Sequence, residues 1–126
     1  MATITATTAE PPALAVIIPH HADPVRLHRC LAALMENDLT GCEIVVVDNA
    51  SPEPPEAARA AFPAARFVTE TEQGAGPARN RGLAETTAPV IAFIDADCVP
   101  APDWLATARE AAGRADLIGG RVTVFD

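Results

Sequence analysis

The 126-residue sequence contains no lysine and no tyrosine, and its basic residues, apart from three histidines, are nine arginines. Seventeen acidic residues outweigh them, so that the formal net charge is −8 at pH 7. A surface that binds nucleic acid needs a basic face, because Lys and Arg side chains neutralise the phosphates. The charge balance therefore argues against a nucleic-acid partner.

Cysteine is also scarce. Cys30, Cys42 and Cys98 are odd in number and far apart, and none belongs to a C-x-x-C pair. This pattern favours free thiols in a reducing compartment over a disulfide framework. We therefore predict a cytoplasmic protein, with a peripheral membrane location only for a longer form of it.

Long hydrophobic runs are missing as well. The longest, Ala13–Ile18, is far too short to span a bilayer, so we predict no membrane segment in this chain. Residues 1–12 lack the basic start and apolar stretch of a secretory signal, and we predict that they form a flexible leader. The remaining residues, 13–126, suffice for one domain with a core of its own.

Apolar runs and helical patterns alternate along the chain. Strands are predicted at residues 13–18, 43–47, 66–69, 90–94 and 116–125. Helices are predicted at residues 24–37, in the alanine-rich stretch that ends near residue 62, at residues 77–86 and from residue 102 onward. This alternation predicts an α/β fold, Rossmann-like, with a mostly parallel sheet and helices on both faces.

Polar side chains stand where three of the predicted strands end. His20 and His21 follow the first strand, Asp48 follows the second, and Asp95 with Asp97 follows the fourth. In parallel sheets, ligands bind beyond the carboxyl ends of the strands. The convergence of three strand ends therefore predicts a ligand site at this edge.

Two aspartates separated by one residue end the stretch VIAFIDADCVP. Residues i and i+2 of a strand point to the same side, so Asp95 and Asp97 can converge on one point, where two oxygen ligands would suit Mg²⁺ or Mn²⁺. In the purely structural alternative, Asp97 begins a turn and Asp95 caps an amide. Residues 95–99 also fit D-x-D-x-[TV], the first motif of haloacid-dehalogenase-like phosphatases, but that family requires a downstream lysine and this chain has none.

The glycine-rich stretch GAGPARNRG, residues 74–82, does not match the G-x-G-x-x-G fingerprint of dinucleotide-binding folds. Its glycines allow close approach of the backbone, and Pro77 is suited to the first turn of a helix. A helix N-terminus with Arg79 and Arg81 nearby attracts anions such as phosphates. A tight turn with two solvated arginines is the structural alternative.

Four blocks of the sequence together resemble the family 2 glycosyltransferases of GT-A fold. They are IPHH from Ile18, EIVVVDNAS from Glu43, GAGPARNRG from Gly74 and AFIDADCVPAPDWL from Ala92. The blocks occur in the order and at the spacing of the family, and the resemblance covers residues 13–126. It implies a domain that binds a nucleotide-diphosphate sugar and an inverting, metal-assisted transfer of that sugar to an acceptor.

The resemblance also implies a set of donor-binding residues, which come from all four blocks: Pro19, His20, His21, Asp48, Arg79 and Asp95. It implies that Asp95 and Asp97 are ligands of a Mg²⁺ or Mn²⁺ cofactor. The expected partner is a nucleotide-diphosphate sugar, with a UDP-sugar favoured. The acceptor, whether a glycan, a lipid or a small molecule, is left open.

The sequence departs from the family pattern in places. His20 and His21 replace the usual Thr-Tyr, so that UDP, GDP and dTDP stay open, and Glu72 stands where many relatives have Asn. The family's catalytic base and acceptor pocket lie beyond Asp126, so we expect this chain to be the incomplete front part of a longer enzyme. There are two alternatives. One is a fragment that binds a nucleotide without catalysis. The other is a sugar nucleotidyltransferase, but that class should have a glycine-rich loop directly after the first strand, where this chain has Pro19.

Overall fold

The computed structural model describes residues 11–114, and within them four strands alternate with four helices. In chain order the elements are β1 (Leu14–His20), α1 (Pro24–Leu34), β2 (Cys42–Asn49), α2 (Glu56–Ala61), β3 (Ala65–Glu70), α3 (Ala75–Ala84), β4 (Val90–Phe93) and α4 (Trp104–Ala112). Each element predicted before residue 114 is confirmed in type, with its ends shifted by a few residues. The strand predicted at 116–125 and residues 1–10 of the predicted leader lie outside the described residues. No helix within the described part of the chain is long and apolar enough to cross a membrane.

The four strands form one parallel sheet in the order β3-β2-β1-β4. The chain adds β2 and β3 on one side of β1 and then returns to add β4 on the other side. This reversal makes the boundary between β1 and β4 a topological switch point, where open α/β sheets bind ligands at the carboxyl ends of their strands. The predicted parallel α/β architecture is therefore confirmed.

Alternate residues of β1 point to two different hydrophobic cores. On one face, Val16 is buried in a cluster with Leu31 of α1 and Leu105 of α4. On the other face, Ile17 is buried in a cluster with Ala78 of α3. Helices thus cover both faces of the sheet, which explains why β1 and β2 are continuous apolar runs rather than alternating ones.

The starts of α1 and α3 follow from their first-turn residues. The Asp23 side chain caps α1 by accepting a hydrogen bond from the backbone N–H of Arg26 at 3.3 Å, and Pro24 occupies the first turn. The α3 helix begins at Ala75, two residues before the start predicted at Pro77. Proline is tolerated there because the N–H groups of a first turn have no partner within the helix.

The α1 helix ends at Leu34, earlier than the predicted end at residue 37, and the segment after it holds α4 in place. The side chain of Asn37 is buried, and its Nδ2 donates to the Ala101 carbonyl at 3.0 Å. Its Oδ1 accepts from the backbone N–H of Leu105 at 2.9 Å. Asn37 therefore caps the first turn of α4 from a distant part of the chain.

Candidate functional site

The carboxyl ends of β1, β2 and β4 meet at one edge of the sheet. His20 ends β1 and pairs in register with Asp48 of β2, while Asp95 follows β4 by two residues. A cavity of about 240 Å³ opens at the β1–β4 switch point, lined by Pro19, His20, His21, Asp23, Asp95, Ala96 and Asp97. Five of the residues that the sequence analysis assigned to the site thus line one cavity.

A larger cavity of about 540 Å³ lies along β3 and α3, lined by Glu70, Glu72, Gly76, Pro77, Asn80, Arg81 and Ala84. Arg81 is engaged there in an ion pair with Glu85, at 3.0 Å. Pro77 and Arg81 of the glycine-rich stretch line this cavity, but none of the residues predicted to bind the donor or the metal does. We therefore take the smaller cavity as the candidate site, because the carboxylates and histidines converge on it.

Asp95 and Asp97 come together through a turn. The β4 strand ends at Phe93, and the backbone N–H of Cys98 donates to the Asp95 carbonyl at 3.0 Å, which closes a turn over residues 95–98. The expectation that strand alternation aligns the two aspartates is therefore wrong in its reason, although the side chains do converge. A carboxylate oxygen of each aspartate and the Sγ of Cys98 all lie within 4.8 Å of one another.

The donor atoms at this turn fit a divalent metal ion. Asp95 and Asp97 are both exposed, so their oxygens are available, and two hard oxygen ligands with other positions left open suit Mg²⁺ or Mn²⁺. Cys98 adds a sulfur that the sequence analysis did not single out. Desolvation, with the neighbouring Asp97 charge, raises the pKa of this thiol, so it keeps its proton at neutral pH. The two carboxylates are therefore the residues that could hold the ion.

Arg79 brings positive charge to the carboxylates. Its Nη2 lies 3.7 Å from Oδ1 of Asp95, and the two side chains are 44% and 65% exposed. An ion pair this exposed contributes about 0–1 kcal/mol. Two like charges can therefore lie at one turn because water solvates both carboxylates and screens their repulsion. No buried positive charge within the described residues is needed to neutralise them.

The α1 helix holds the backbone of the carboxylate turn. Arg29 donates from Nη2 to the Asp97 carbonyl at 3.4 Å, and the Cys30 thiol donates to the Asp95 carbonyl at 3.8 Å. Burial, with smaller contributions from nearby groups such as Cys98, raises the pKa of Cys30 to about 12. The thiol therefore keeps the proton that it donates. Neither α1 residue belongs to a motif, so the sequence alone does not assign either of them to the site.

His20 and Asp48 form a buried pair where β1 and β2 end. The His20 Nδ1 and the Asp48 Oδ1 are 3.1 Å apart, and the two residues are 3% and 7% exposed. The His20 Nε2 lies 2.9 Å from the backbone nitrogen of Asp23, and the Ser51 Oγ lies 2.5 Å from Asp48 Oδ1. The protein thus holds the His20 ring through both nitrogens. Ser51 ends the block EIVVVDNAS, but only the structure shows that its side chain contacts Asp48.

His21 follows the last residue of β1 and lines the same cavity as His20. It is exposed, and its Nδ1 lies 2.6 Å from the carbonyl oxygen of Asn49. Because a carbonyl oxygen can only accept, Nδ1 carries a hydrogen and donates it to Asn49. This bond holds the His21 ring to the end of β2, beside the cavity that it lines.

The side chain of Asn49 ties the end of β2 to the loop before α3. Its Nδ2 donates to the carbonyls of Glu70 and Glu72 at 3.1 and 2.7 Å, and its Oδ1 accepts from the Gly74 N–H at 2.8 Å. Gly74 has a φ of 133°, in the region that favours glycine. Asn49 thereby fixes the start of the helix that carries Arg79.

The profile of a family described as glycosyl transferase family 2 matches residues 15–126. Among curated proteins, the chain is similar to the glycosyltransferase AglE of Haloferax volcanii, with 29% identity over 124 residues. That alignment covers 91% of this chain and 41% of AglE. The chain thus spans less than half of this relative's length.

Two solved structures share the fold. The mannosyltransferase PcManGT from Pyrobaculum calidifontis, in complex with GDP-Man and Mn²⁺, is 31% identical with a TM-score of 0.66, over 77% of this chain and 31% of that one. The glucosyl-3-phosphoglycerate synthase from Mycobacterium tuberculosis, in complex with Mn²⁺, UDP and glucosyl-3-phosphoglycerate, is 24% identical with a TM-score of 0.64. It aligns over 75% of this chain and 37% of that one, and its likeness is one of fold. The predicted GT-A architecture is confirmed.

Proposed function

The chain belongs to glycosyl transferase family 2, and from this membership we propose that residues 13–126 form the donor-binding domain of a glycosyltransferase. The donor is a nucleotide-diphosphate sugar bound at the β1–β4 switch point. The observation that carries the proposal is the convergence of Asp48, Arg79, Asp95 and Asp97 at one edge of the sheet. We propose a cytoplasmic location, which fits the three free cysteines.

In this proposal the nucleotide is held by groups from three strand ends and α3. Asp48 accepts an N–H group of the base, and Pro19 and His21 contact the base and the ribose from the cavity wall. The Arg79 guanidinium lies near the phosphates, where its planar donors match phosphate oxygens. His20 acts through Asp48, because both of its ring nitrogens already have protein partners.

We propose that Asp97, together with Asp95, holds a Mg²⁺ or Mn²⁺ ion, and that Asp95 also reaches the ribose. Two structures of similar fold contain Mn²⁺ with a nucleotide, which supports a divalent ion without deciding between the two metals. When bound, such an ion supplies Lewis-acid stabilisation of the diphosphate leaving group.

Sugar transfer breaks the bond between the anomeric carbon and the diphosphate oxygen and forms a bond from that carbon to an acceptor oxygen. We propose an in-line attack that inverts the anomeric configuration, with the acceptor proton passing to a base. By the family resemblance, this base and the acceptor pocket lie beyond Asp126. The residues of this chain bind the donor and orient its diphosphate for attack.

Calorimetric titration of UDP and of GDP tests the donor site. With Mn²⁺ we expect saturable binding that weakens in EDTA. Asp97→Ala should lose this Mn²⁺-dependent gain, by at least about tenfold in affinity, because loss of a direct metal ligand costs at least as much as loss of a supporting contact. Asp103→Ala is the matched control, since this exposed carboxylate at the start of α4 makes no capping hydrogen bond. We expect it to bind like the wild type.

Equal binding in Mn²⁺ and EDTA, or an Asp97→Ala variant that binds like the wild type, would contradict the metal assignment. A fragment that binds the nucleotide without catalysis would give the same titrations as a transferase. An activity assay distinguishes these two possibilities. It measures whether a longer chain that contains this domain releases the sugar from a UDP-sugar or a GDP-sugar. A transferase should lose that release on Asp97→Ala.

A further inference from the structure

We propose that Arg29 is a positioning residue, which holds the turn of Asp95 and Asp97 against α1 and thereby raises the affinity of the two carboxylates for a divalent ion. The proposal rests on the proposed function, because it requires an ion at these carboxylates. Arg29 does not contact the ion. It acts on the backbone that carries the two ligands, and so gives α1 a part in metal binding.

The two carboxylates are only weakly held by their own contacts within the described residues. Oδ1 of Asp95 lies 3.7 Å from Nη2 of Arg79, in an exposed ion pair, and Oδ1 of Asp97 lies 3.7 Å from the Cys98 Sγ. Exposed ion pairs contribute little, and a thiol is a weak donor. The positions of the carboxylates therefore depend on the backbone of the turn.

The α1 helix contacts this backbone at two carbonyl groups. Nη2 of Arg29 donates to the Asp97 carbonyl at 3.4 Å, and the Cys30 thiol donates to the Asp95 carbonyl at 3.8 Å. The Asp95 carbonyl has a second donor, the Cys98 N–H at 3.0 Å, which belongs to the turn itself. Because the Arg29 donor is charged, its hydrogen bond is the stronger of the two contacts from α1.

Ala96 shows which side of the turn faces α1. It is 8% exposed and belongs to the same hydrophobic cluster as Leu27 and Leu31 of α1, whereas the aspartates on either side of it are exposed. The methyl group thus anchors the middle of the turn in the core and leaves both carboxylates at the surface. Arg29 adds a polar contact at the exposed rim of this packing, one residue further along the turn.

A divalent ion at this turn needs an oxygen from each aspartate at the same time. A backbone that already holds the two residues in place loses less conformational freedom when the ion binds, and the affinity is correspondingly higher. Loss of one hydrogen bond that supports this arrangement should cost about three- to tenfold in affinity, which corresponds to the net strength of such a bond.

The charge of Arg29 has the opposite effect on the ion. A guanidinium near a cation site repels the cation, so the removal of a residue that acted by charge alone would strengthen the binding of Mn²⁺. Arg29 is exposed, and water and salt screen this repulsion. We therefore expect the loss of positioning to outweigh the relief of repulsion. The sign of the change in affinity distinguishes the two effects.

Titration of Mn²⁺ into the UDP-saturated chain tests the proposal, with the electron paramagnetic resonance signal of free Mn²⁺ as the readout. Arg29→Ala should raise the Kd for Mn²⁺ about three- to tenfold. Arg29→Lys keeps a charged donor for a contact that uses one guanidinium nitrogen, so it should recover most of the affinity. Arg114→Ala is the matched control, because it removes the same charge from a 72% exposed pair with Glu110 and should bind like the wild type.

A merely structural role of Arg29 would lower the free energy of unfolding in urea and weaken UDP binding in EDTA as well, which would overturn the proposal. We expect Arg29→Ala to leave both unchanged. Unchanged or tighter Mn²⁺ binding in Arg29→Ala would also overturn the proposal and leave the proposed function standing. If circular dichroism shows that Arg29→Ala is unfolded, Arg29→Met decides the matter, since it keeps an apolar stem without the donor. Absence of Mn²⁺-dependent UDP binding in the folded wild type would overturn the proposed function as well.

Discussion

Gly82 lies where α3 packs on β1, and we expect Gly82→Ala to destabilise the fold although alanine favours helices. A Cβ atom at Gly82 would stand 2.3 Å from Cγ2 and 3.1 Å from Cδ1 of Ile17. Carbon atoms pack at about 3.5–4.0 Å, so the helix or the side chain must move by roughly 1 Å or more. Ile17 is fully buried on β1, one of the two inner strands of the sheet, and has little room to yield.

Two effects of opposite sign decide the magnitude of this change. Removing a glycine from a helix interior stabilises folding by about 1 kcal/mol. Overpacking a filled core costs about 1–3 kcal/mol, and a 2.3 Å approach to a β-branched side chain belongs at the upper end of that range. We therefore expect the free energy of unfolding to fall by about 1–2 kcal/mol.

Urea unfolding followed by circular dichroism measures this loss, with Gly76→Ala as the matched control. Gly76 lies in the same helix, but a Cβ atom there would meet no atom within 4 Å. Gly76→Ala should therefore gain about 0.4–1 kcal/mol. A Gly82→Ala variant as stable as Gly76→Ala would refute the argument from close approach. Combining Gly82→Ala with Ile17→Ala should cost less than the sum of the single changes, because the clashing atoms are removed.

Two further predictions concern Asn49 and Cys30. Asn49→Ala should lower the free energy of unfolding by about 2–4 kcal/mol, because three backbone groups lose their partner, and it should weaken UDP binding. Asn80→Ala on the exposed face of α3 should stay within about 0.5 kcal/mol of the wild type, and urea unfolding that shows no difference between the two variants would contradict the anchoring role. For Cys30, burial raises the pKa from 9.0 to about 12, so the unfolded chain loses this proton first as the pH rises. Stability should therefore be complete below about pH 9 and decline from there towards pH 12, a decline that Cys30→Ala should reduce in urea unfolding near pH 10.

The strands of this fold could be predicted from the sequence because helices cover both faces of the sheet. This arrangement determines the composition of the inner strands. Segments such as β1 must be apolar on both faces, and that requirement is visible locally. The order of the strands is not visible in this way. Leu14 pairs with Cys42 on one side and with Val90 on the other, and the second pairing brings together segments far apart in the chain. Such pairings depend on how all the helices pack on the sheet.

The same difference separates the site residues that could be predicted from those that could not. A charged or imidazole side chain directly after an apolar strand has few structural reasons to be there. Asp48 and Asp95 could therefore be predicted as site residues from the sequence. Asn49 stands in a stretch rich in turn formers, where its presence already has an explanation. Its three partners lie 21 to 25 residues further along the chain. Only the folded backbone reveals that Asn49 anchors another loop.

Two buried asparagines support the segments on both sides of the candidate site. Asn49 holds the loop that leads into α3 and Arg79, while Asn37 holds the segment between the carboxylate turn and α4. Each donates to carbonyl oxygens and accepts from a backbone N–H, which a carboxylate in the same place cannot do because it has no N–H to donate. Neither lines the cavity of His20 and Asp97. The geometry of the site therefore depends on neutral side chains outside it, and substitutions at these asparagines should alter nucleotide binding without removing a ligand contact.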